Sequence, residues 1–199
     1  MVSFVAHPDA TMREARAQYF EANHFGEDGG YGSKWVDFKL GPLPFPIPNS
    51  AARVRAVRYH DLHHVLTGYE TDFRGELEIS AWEIGAGCKD FVAAWQLNLG
   101  GMAGGVFLIP VRTFRACVRG RHARSLYGAP LEELLDAKVE DVRARMGVEP
   151  SPKASATDVL LFVLASLAGL VVGLATLALF LPLMPIGLVA LNLRRAASG

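Results

Sequence analysis

From Val159 to Leu193 the chain carries no charged residue, and most of that run is Leu, Val, Ala, Ile and Phe. Roughly 20 apolar residues let a helix cross a bilayer, so 159–181 is long enough for one complete span. Pro182 and Pro185 should kink or end it, because proline lacks an amide hydrogen and clashes with the preceding turn. The apolar remainder, Ile186 to Leu193, is too short for a second ordinary span and reads as a re-entrant return. The C-terminus is therefore expected to be a transmembrane or re-entrant helical anchor over 158–193, preceded by a linker over 151–157. Ala165, Gly169 and Gly173 recur every fourth residue, a spacing that allows close helix packing and is also common in any Ala- and Gly-rich span. Residues 1–150 are left as one domain. Met1 to Ala10 has no apolar core and contains His7, Pro8 and Asp9, so neither a signal peptide nor an Arg-rich transit peptide is expected there. The expected location is a membrane, with the helical domain on its cytoplasmic side.

The domain's chemistry concentrates in Tyr59-His60-Asp61-Leu62-His63-His64, with Glu76 following. On a helix, His60 and His64 project from one face one turn apart, and Asp61 borders that face. Asn49 is placed to cap this helix, and Gly68 to stop it. Thr71 or Asp72 can cap a second helix, whose apolar stripe is Phe73, Leu77, Ala81, Ile84 and Cys88. Glu76 then lies in the first turn of the second helix, pointing back at the first. Imidazole nitrogens with carboxylate oxygens suit zinc, with iron or manganese as alternatives. Glu83, seven residues beyond Glu76 on the same face, is a candidate catalytic proton carrier or a support for the ligands. A plain surface glutamate is the competing reading, as a polar helix surface is for the histidines.

His60-Asp61-x-x-His64 followed by Glu76 resembles the signature of the coenzyme Q (ubiquinone) biosynthesis proteins of the Coq-four type. Leu66-Thr67-Gly68-Tyr69 and Gly75-Glu76 belong to the match, which runs from about residue 11 to about residue 148. The segment from Arg121 to Tyr127 and the helix end at Arg143 to Gly147 are weaker parts of it. The resemblance implies an all-α, membrane-associated fold and a divalent metal, usually zinc, held by His60, Asp61, His64 and Glu76. His63 is not a matched position. It further implies a role in ubiquinone biosynthesis, either in oxidative decarboxylation at C1 of a prenylated ring intermediate or as a scaffold for the other quinone-biosynthesis enzymes. The implied partners are a prenylated quinone precursor, membrane lipid, other proteins of that pathway and a second copy in a homo-oligomer. The C-terminal anchor departs from the mostly peripheral members of that family. A His-Asp pair also marks phosphohydrolases, but those need a further upstream His and a distant downstream Asp. Only His7 and His24 lie upstream here, both in or near loops.

Formal net charge is zero, which gives no basic signature for nucleic acid. Cys88 and Cys117 have no metal or disulfide spacing, and Cys88 reads as core. Thr11-x-x-Glu14 is a capping box opening a helix that should run to about Asn23, followed by a turn region over Gly26 to Gly32. Pro42, Pro44, Pro46 and Pro48 alternate with large apolar residues, so this stretch must be extended and is expected to pack as a linker along the helices. Residues 91–111 form a second uncharged run containing Gly100, Gly101, Gly104 and Gly105. It reads either as a core helix broken by a glycine turn or as a groove for a prenyl tail. Arg112, Arg115 and Arg119 follow at helical spacing, then Arg121, His122 and Arg124. They form either a basic face for lipid head groups or an ordinary solvated face. Pro130 should start a closing helix over 130–147 that buries Leu131, Leu134, Leu135, Val139, Val142 and Met146.

The expected architecture is an all-α domain with a metal-bridged helical hairpin and a membrane anchor. Two functions remain open from sequence: a metal-dependent enzyme acting on a prenylated ring, or a non-catalytic scaffold or lipid presenter. Zinc has no redox chemistry, so an oxidative step would need iron, oxygen or a partner enzyme.

Overall fold

The computed structural model describes residues 6–40, 43–148, 152–183, 185, 188 and 189. Among them are eight α-helices and one two-stranded hairpin. Helix α1 (Met12–Ala22) opens on the Thr11/Glu14 capping box. Its buried Met12, Ala15, Tyr19 and Phe20 pack into the main core. The proline-alternating stretch is extended, but it is not a linker: β2 (Leu43–Pro48) pairs antiparallel with β1 (Trp35–Leu40). Pro44, Pro46 and Pro48 fall at every second position opposite Lys39, Asp37 and Trp35. Prolines that recur with the strand period all turn the same way, so one side of an edge strand can lack donors while the other pairs.

Helices α2 (Ala51–Thr67) and α3 (Phe73–Ala86) form the expected hairpin. Ser50, rather than Asn49, caps α2 by accepting from the Arg53 amide. The Asn49 side chain instead donates to the carbonyls of Gly30, Tyr31 and Ser33, tying down the preceding loop. Gly68 stops α2 at φ 73°, a left-handed conformation that favours glycine. Asp72 caps α3 through the Gly75 amide. A Cβ on Gly75 would lie 2.0 Å from the Glu70 carbonyl oxygen. Only glycine lets the connecting loop fold back this closely onto the first turn of α3, where Glu76 sits. Phe73, placed in the apolar stripe by periodicity, is 46% exposed at the open end of the helix.

Helix α4 (Val92–Leu108) is unbroken despite its four glycines, and α5 (Pro110–Arg121) follows directly. The glycines form no lipid groove, because other helices occupy the space beside them. A Cβ on Gly101 would meet Ser80 of α3, and one on Gly105 would meet Thr113 of α5. The exposed backbone that makes glycine a poor helix former is covered here by close helix contact. The closing region is two short helices, α6 (Leu131–Asp136) and α7 (Val139–Met146), rather than one.

Helix α8 (Ala156–Phe180) begins with a Ser155/Asp158 capping box and ends before Pro182, in a 3₁₀ turn. It is the one helix among the described residues that is long and apolar enough to cross a membrane. Most of the re-entrant return expected over Ile186 to Leu193 lies outside the described residues.

Candidate metal centre

The α2–α3 hairpin brings His60, His64 and Glu76 together into a group that could hold a metal ion. The two imidazole Nε2 atoms are 3.2 Å apart. Glu76 lies 3.3 Å from His64 and 3.4 Å from His60, using one carboxylate oxygen for each. Around a tetrahedral ion with bonds of about 2.0–2.1 Å, neighbouring donor atoms are roughly 3.3–3.4 Å apart. The contacts to Glu76 end on different oxygens, and with one ligand atom taken from each residue the three atoms lie within 4.8 Å of one another, so a small closing movement would bring them to that spacing.

The hydrogen bonds assign the ring tautomers. His64 Nδ1 lies 2.8 Å from the Tyr69 carbonyl, which can only accept, so this nitrogen carries the hydrogen. His60 Nδ1 lies 3.0 Å from Glu83 Oε1 and donates to that carboxylate. Both Nε2 lone pairs are therefore left facing each other and Glu76. Such an arrangement is repulsive until a cation lies between them, whether a proton or a metal. The Tyr19 ring stacks on His64 with centroids 5.6 Å apart, fixing the ring plane.

Glu83 is fully buried. It accepts from His60, from His63 Nδ1 at 2.7 Å, from the Tyr127 hydroxyl at 2.6 Å and from the Asn98 amide. His63 Nε2 in turn accepts from the Leu126 amide at 2.9 Å, so His63 is a neutral Nδ1–H tautomer. Burial lowers its pKa against the pull of Glu83. For Glu83 itself, burial opposes ionisation, but the charge of a protonated His60 and the hydrogen bonds from His60 and His63 outweigh it and hold the carboxyl well below its ordinary range. For His60, burial opposes protonation, and the Glu83 and Glu76 carboxylates more than reverse this, raising its pKa well above the usual value. Desolvation of the half-exposed Glu76 carboxyl by the packed helices disfavours its charge, yet the two histidines pull its pKa down to about 2. Glu83 is thus a positioning residue: it orients His60 from behind and shows no surface to a substrate.

Asp61 stands beside this group rather than within it. Its Oδ2 accepts the Tyr31 hydroxyl at 2.6 Å. Burial raises its pKa, while the charge of His60 and the Tyr31 hydrogen bond oppose the rise. Tyr31, His63, Asn98 and Tyr127 are site residues that spacing alone did not identify. The available signal was chemical for His63, Asn98 and Tyr127, each a polar group in a segment otherwise committed to the core; Tyr31, in a glycine-rich turn region, carries no such signal.

The arginine series does not form a free basic face. Arg112 pairs with Glu78, Arg119 donates to the Thr67 carbonyl, and Arg121 pairs with Asp158 at 2.6 Å. No protein-family model, curated protein or solved structure matches the chain.

Proposed function

We propose that the chain is a membrane-attached metalloprotein of ubiquinone biosynthesis that acts on a prenylated ring intermediate. The observation that carries this reading is the asymmetry of exposure in the ligand triangle. His64 is 1% exposed and His60 18%, whereas the Glu76 side chain is 42% exposed. A site closed behind and open in front suits a metal that meets substrate, whereas structural sites are closed on all sides. The substrate class rests on the resemblance of His60-Asp61-x-x-His64 and Glu76 to the Coq-four type.

His60 and His64 would hold the ion through Nε2, and Glu76 would complete the triangle at its open edge. Zinc fits the donor set best, with iron and manganese as alternatives. Bound there, a divalent ion supplies Lewis-acid polarisation of a ring carboxylate or phenolate. Glu83 keeps the His60 proton on Nδ1 and so keeps Nε2 available. Asp61, held by Tyr31 beside the histidines, would be the carboxylate that takes a proton from a bound phenol. Loss of the C1 carboxyl as an oxidative step requires dioxygen or another two-electron acceptor as co-reactant.

The test is metal analysis of the purified full chain, coupled to turnover of a prenylated 4-hydroxybenzoate with release of carbon dioxide. Metal-dependent turnover that falls sharply in Glu76→Gln supports the enzyme. Normal quinone levels in cells carrying Glu76→Gln, with the metal shown to be lost, would overturn it in favour of a scaffold.

A further inference from the structure

Helix α8 does not stand away from the domain. Its first turn is fixed by Asp158, whose side chain is 2% exposed and pairs with Arg121 at 2.6 Å. Phe162 meets Phe114 of α5 edge-on with centroids 5.1 Å apart. Further along, a Cβ on Gly169 would lie 2.5 Å from the Leu99 carbonyl, and one on Gly173 would lie 3.7 Å from the Gly100 Cα. Thr176 accepts from the Gln96 side chain at 3.3 Å. The seam thus runs from Asp158 to Thr176, about 27 Å at 1.5 Å per residue. That length nearly equals the hydrocarbon thickness of a bilayer, about 30 Å.

This seam fixes how deep the rest of the domain would sit. Gly100 touches α8 at Gly173, while on the other side of α4 a Cβ on Gly101 would meet Ser80 and lie 4.0 Å from the Glu76 carbonyl oxygen. Glu76 is therefore level with the interior of the seam. Were the docked α8 to run along the membrane normal, the half-exposed Glu76 carboxylate would lie at hydrocarbon depth. The half-exposed Arg112 side chain on α5 would lie there too. Exposed charges at that depth are strongly disfavoured. Docking in this pose therefore conflicts with α8 crossing along the membrane normal.

We infer that α8 lies in the plane of the membrane and attaches the protein to one leaflet without crossing it; this rests on the membrane reading above. Its outward face presents Val163, Leu167, Val171 and Leu174 at 46–69% exposure, and the α4–α5 corner extends that face with Phe107 and Val111 at 72% and 61%. An in-plane helix normally needs a polar side of its own; here the domain docked through α4 and α5 takes that role. Arg115, one turn beyond Val111, is exposed, and no carboxylate pairs with it among the described residues. It sits at the rim of the apolar face, where an anionic head group would lie.

The full-length chain carrying Glu27→Cys and Pro185→Cys is placed in sealed vesicles containing anionic phospholipid and exposed to a membrane-impermeant maleimide of high mass. The native Cys88 and Cys117 are buried. If both positions lie on one side, each chain acquires two tags or none, whatever its orientation. If α8 crosses, each chain carrying Glu27→Cys with Pro185→Cys, a position ahead of any return by residues 186–193, acquires one tag, and that result overturns the inference. A Gly100→Cys/Gly173→Cys pair, at the point where each added Cβ would lie within 4.0 Å of the opposite Cα, should form a disulfide within one chain in the same vesicles. Failure to form it in folded, membrane-bound protein overturns the docking, and a disulfide-linked dimer assigns the face to a second copy instead. Extraction of the parent chain by carbonate alone would show that the membrane reading itself, and not the orientation of α8, is at fault.

Discussion

The α2–α3 corner and the α4–α8 seam are both helix pairings, yet opposite kinds of interaction hold them. At the corner, polar atoms with fixed directions join the helices: His60 and His63 to Glu83, and His60 and His64 to Glu76. Where α4 meets α8, backbones approach through Gly100, Gly169 and Gly173, and among the described residues one side-chain hydrogen bond, Gln96 to Thr176, joins these two helices. The corner constrains which nitrogen faces which oxygen. The seam constrains only how close two helices come. The first should therefore respond to charge and pH, and the second to volume.

Glu83→Ala should have the largest effect on stability. It removes the acceptor shared by His60, His63, Asn98 and Tyr127, leaving buried donors without partners, at a cost of about 3–5 kcal/mol. Urea titration of the metal-free protein measures this. A loss under about 1 kcal/mol would mean that the corner is not organised around Glu83.

Volume should govern the glycine positions. A Cβ on Gly169 meets the Leu99 carbonyl at 2.5 Å, whereas one on Gly104 meets only a Leu77 methyl at 3.4 Å. Gly169→Ala should therefore cost about 1–3 kcal/mol through overpacking. Gly104→Ala should be neutral or stabilise by up to about 0.5–1 kcal/mol through helix propensity. Thermal melts of the two variants in detergent check the pair. Equal shifts would remove the distinction between close approach and ordinary contact along α4.

The corner alone should give the metal-free protein a pH optimum. Glu83 and Glu76 have lowered pKa values. Their contribution is complete above the unfolded glutamate pKa near 4.3, and is lost as pH falls through the folded values. His60 has a raised pKa. Its contribution is complete below the unfolded histidine pKa near 6.5, and is lost as pH rises through the folded value. Both are complete only between about pH 4.5 and 6.5, and His63, whose pKa is lowered, is favourable only toward the top of that window, so Tm with chelator present should peak near its upper end. Added zinc should remove the alkaline decline, since the ion takes the place of the proton on His60. A metal-free Tm that climbs steadily from pH 6 to 9 would contradict this.

The smallest effect belongs to a surface pair unrelated to either region. Arg13 reaches Glu132 and Asp136 with every partner well exposed, so Arg13→Ala should leave Tm almost unchanged. A clear fall would show that α1–α6 docking contributes more than the exposed geometry implies.

The corner was legible in the sequence because its signals are local. A four-residue histidine spacing, a left-handed Gly68 and an Asp72 cap each follow from the residues themselves. The Glu83 hub was only half legible. The position of Glu83 on the ligand face was evident, but Asn98 and Tyr127 reach it from distant elements, and periodicity carries no information about such contacts. The seam was least legible. The glycines of α4 read as a break because intrinsic propensity penalises them, and the helices that cover them lie elsewhere in the chain. The proline alternation showed an extended chain but not its partner strand, although Val36, Phe38 and Leu40 alternate with Asp37 and Lys39 at the strand period.

The most direct test of the metal centre is metal content after reconstitution. The parent chain and His64→Ala are stripped with chelator, loaded with zinc, desalted and subjected to elemental analysis, with circular dichroism confirming that both are folded. The expected result is about one ion per parent chain and almost none in His64→Ala, since losing one of three ligands weakens binding by more than about 100-fold. Equal metal in the two folded proteins would contradict the assignment of His60, His64 and Glu76 as the site.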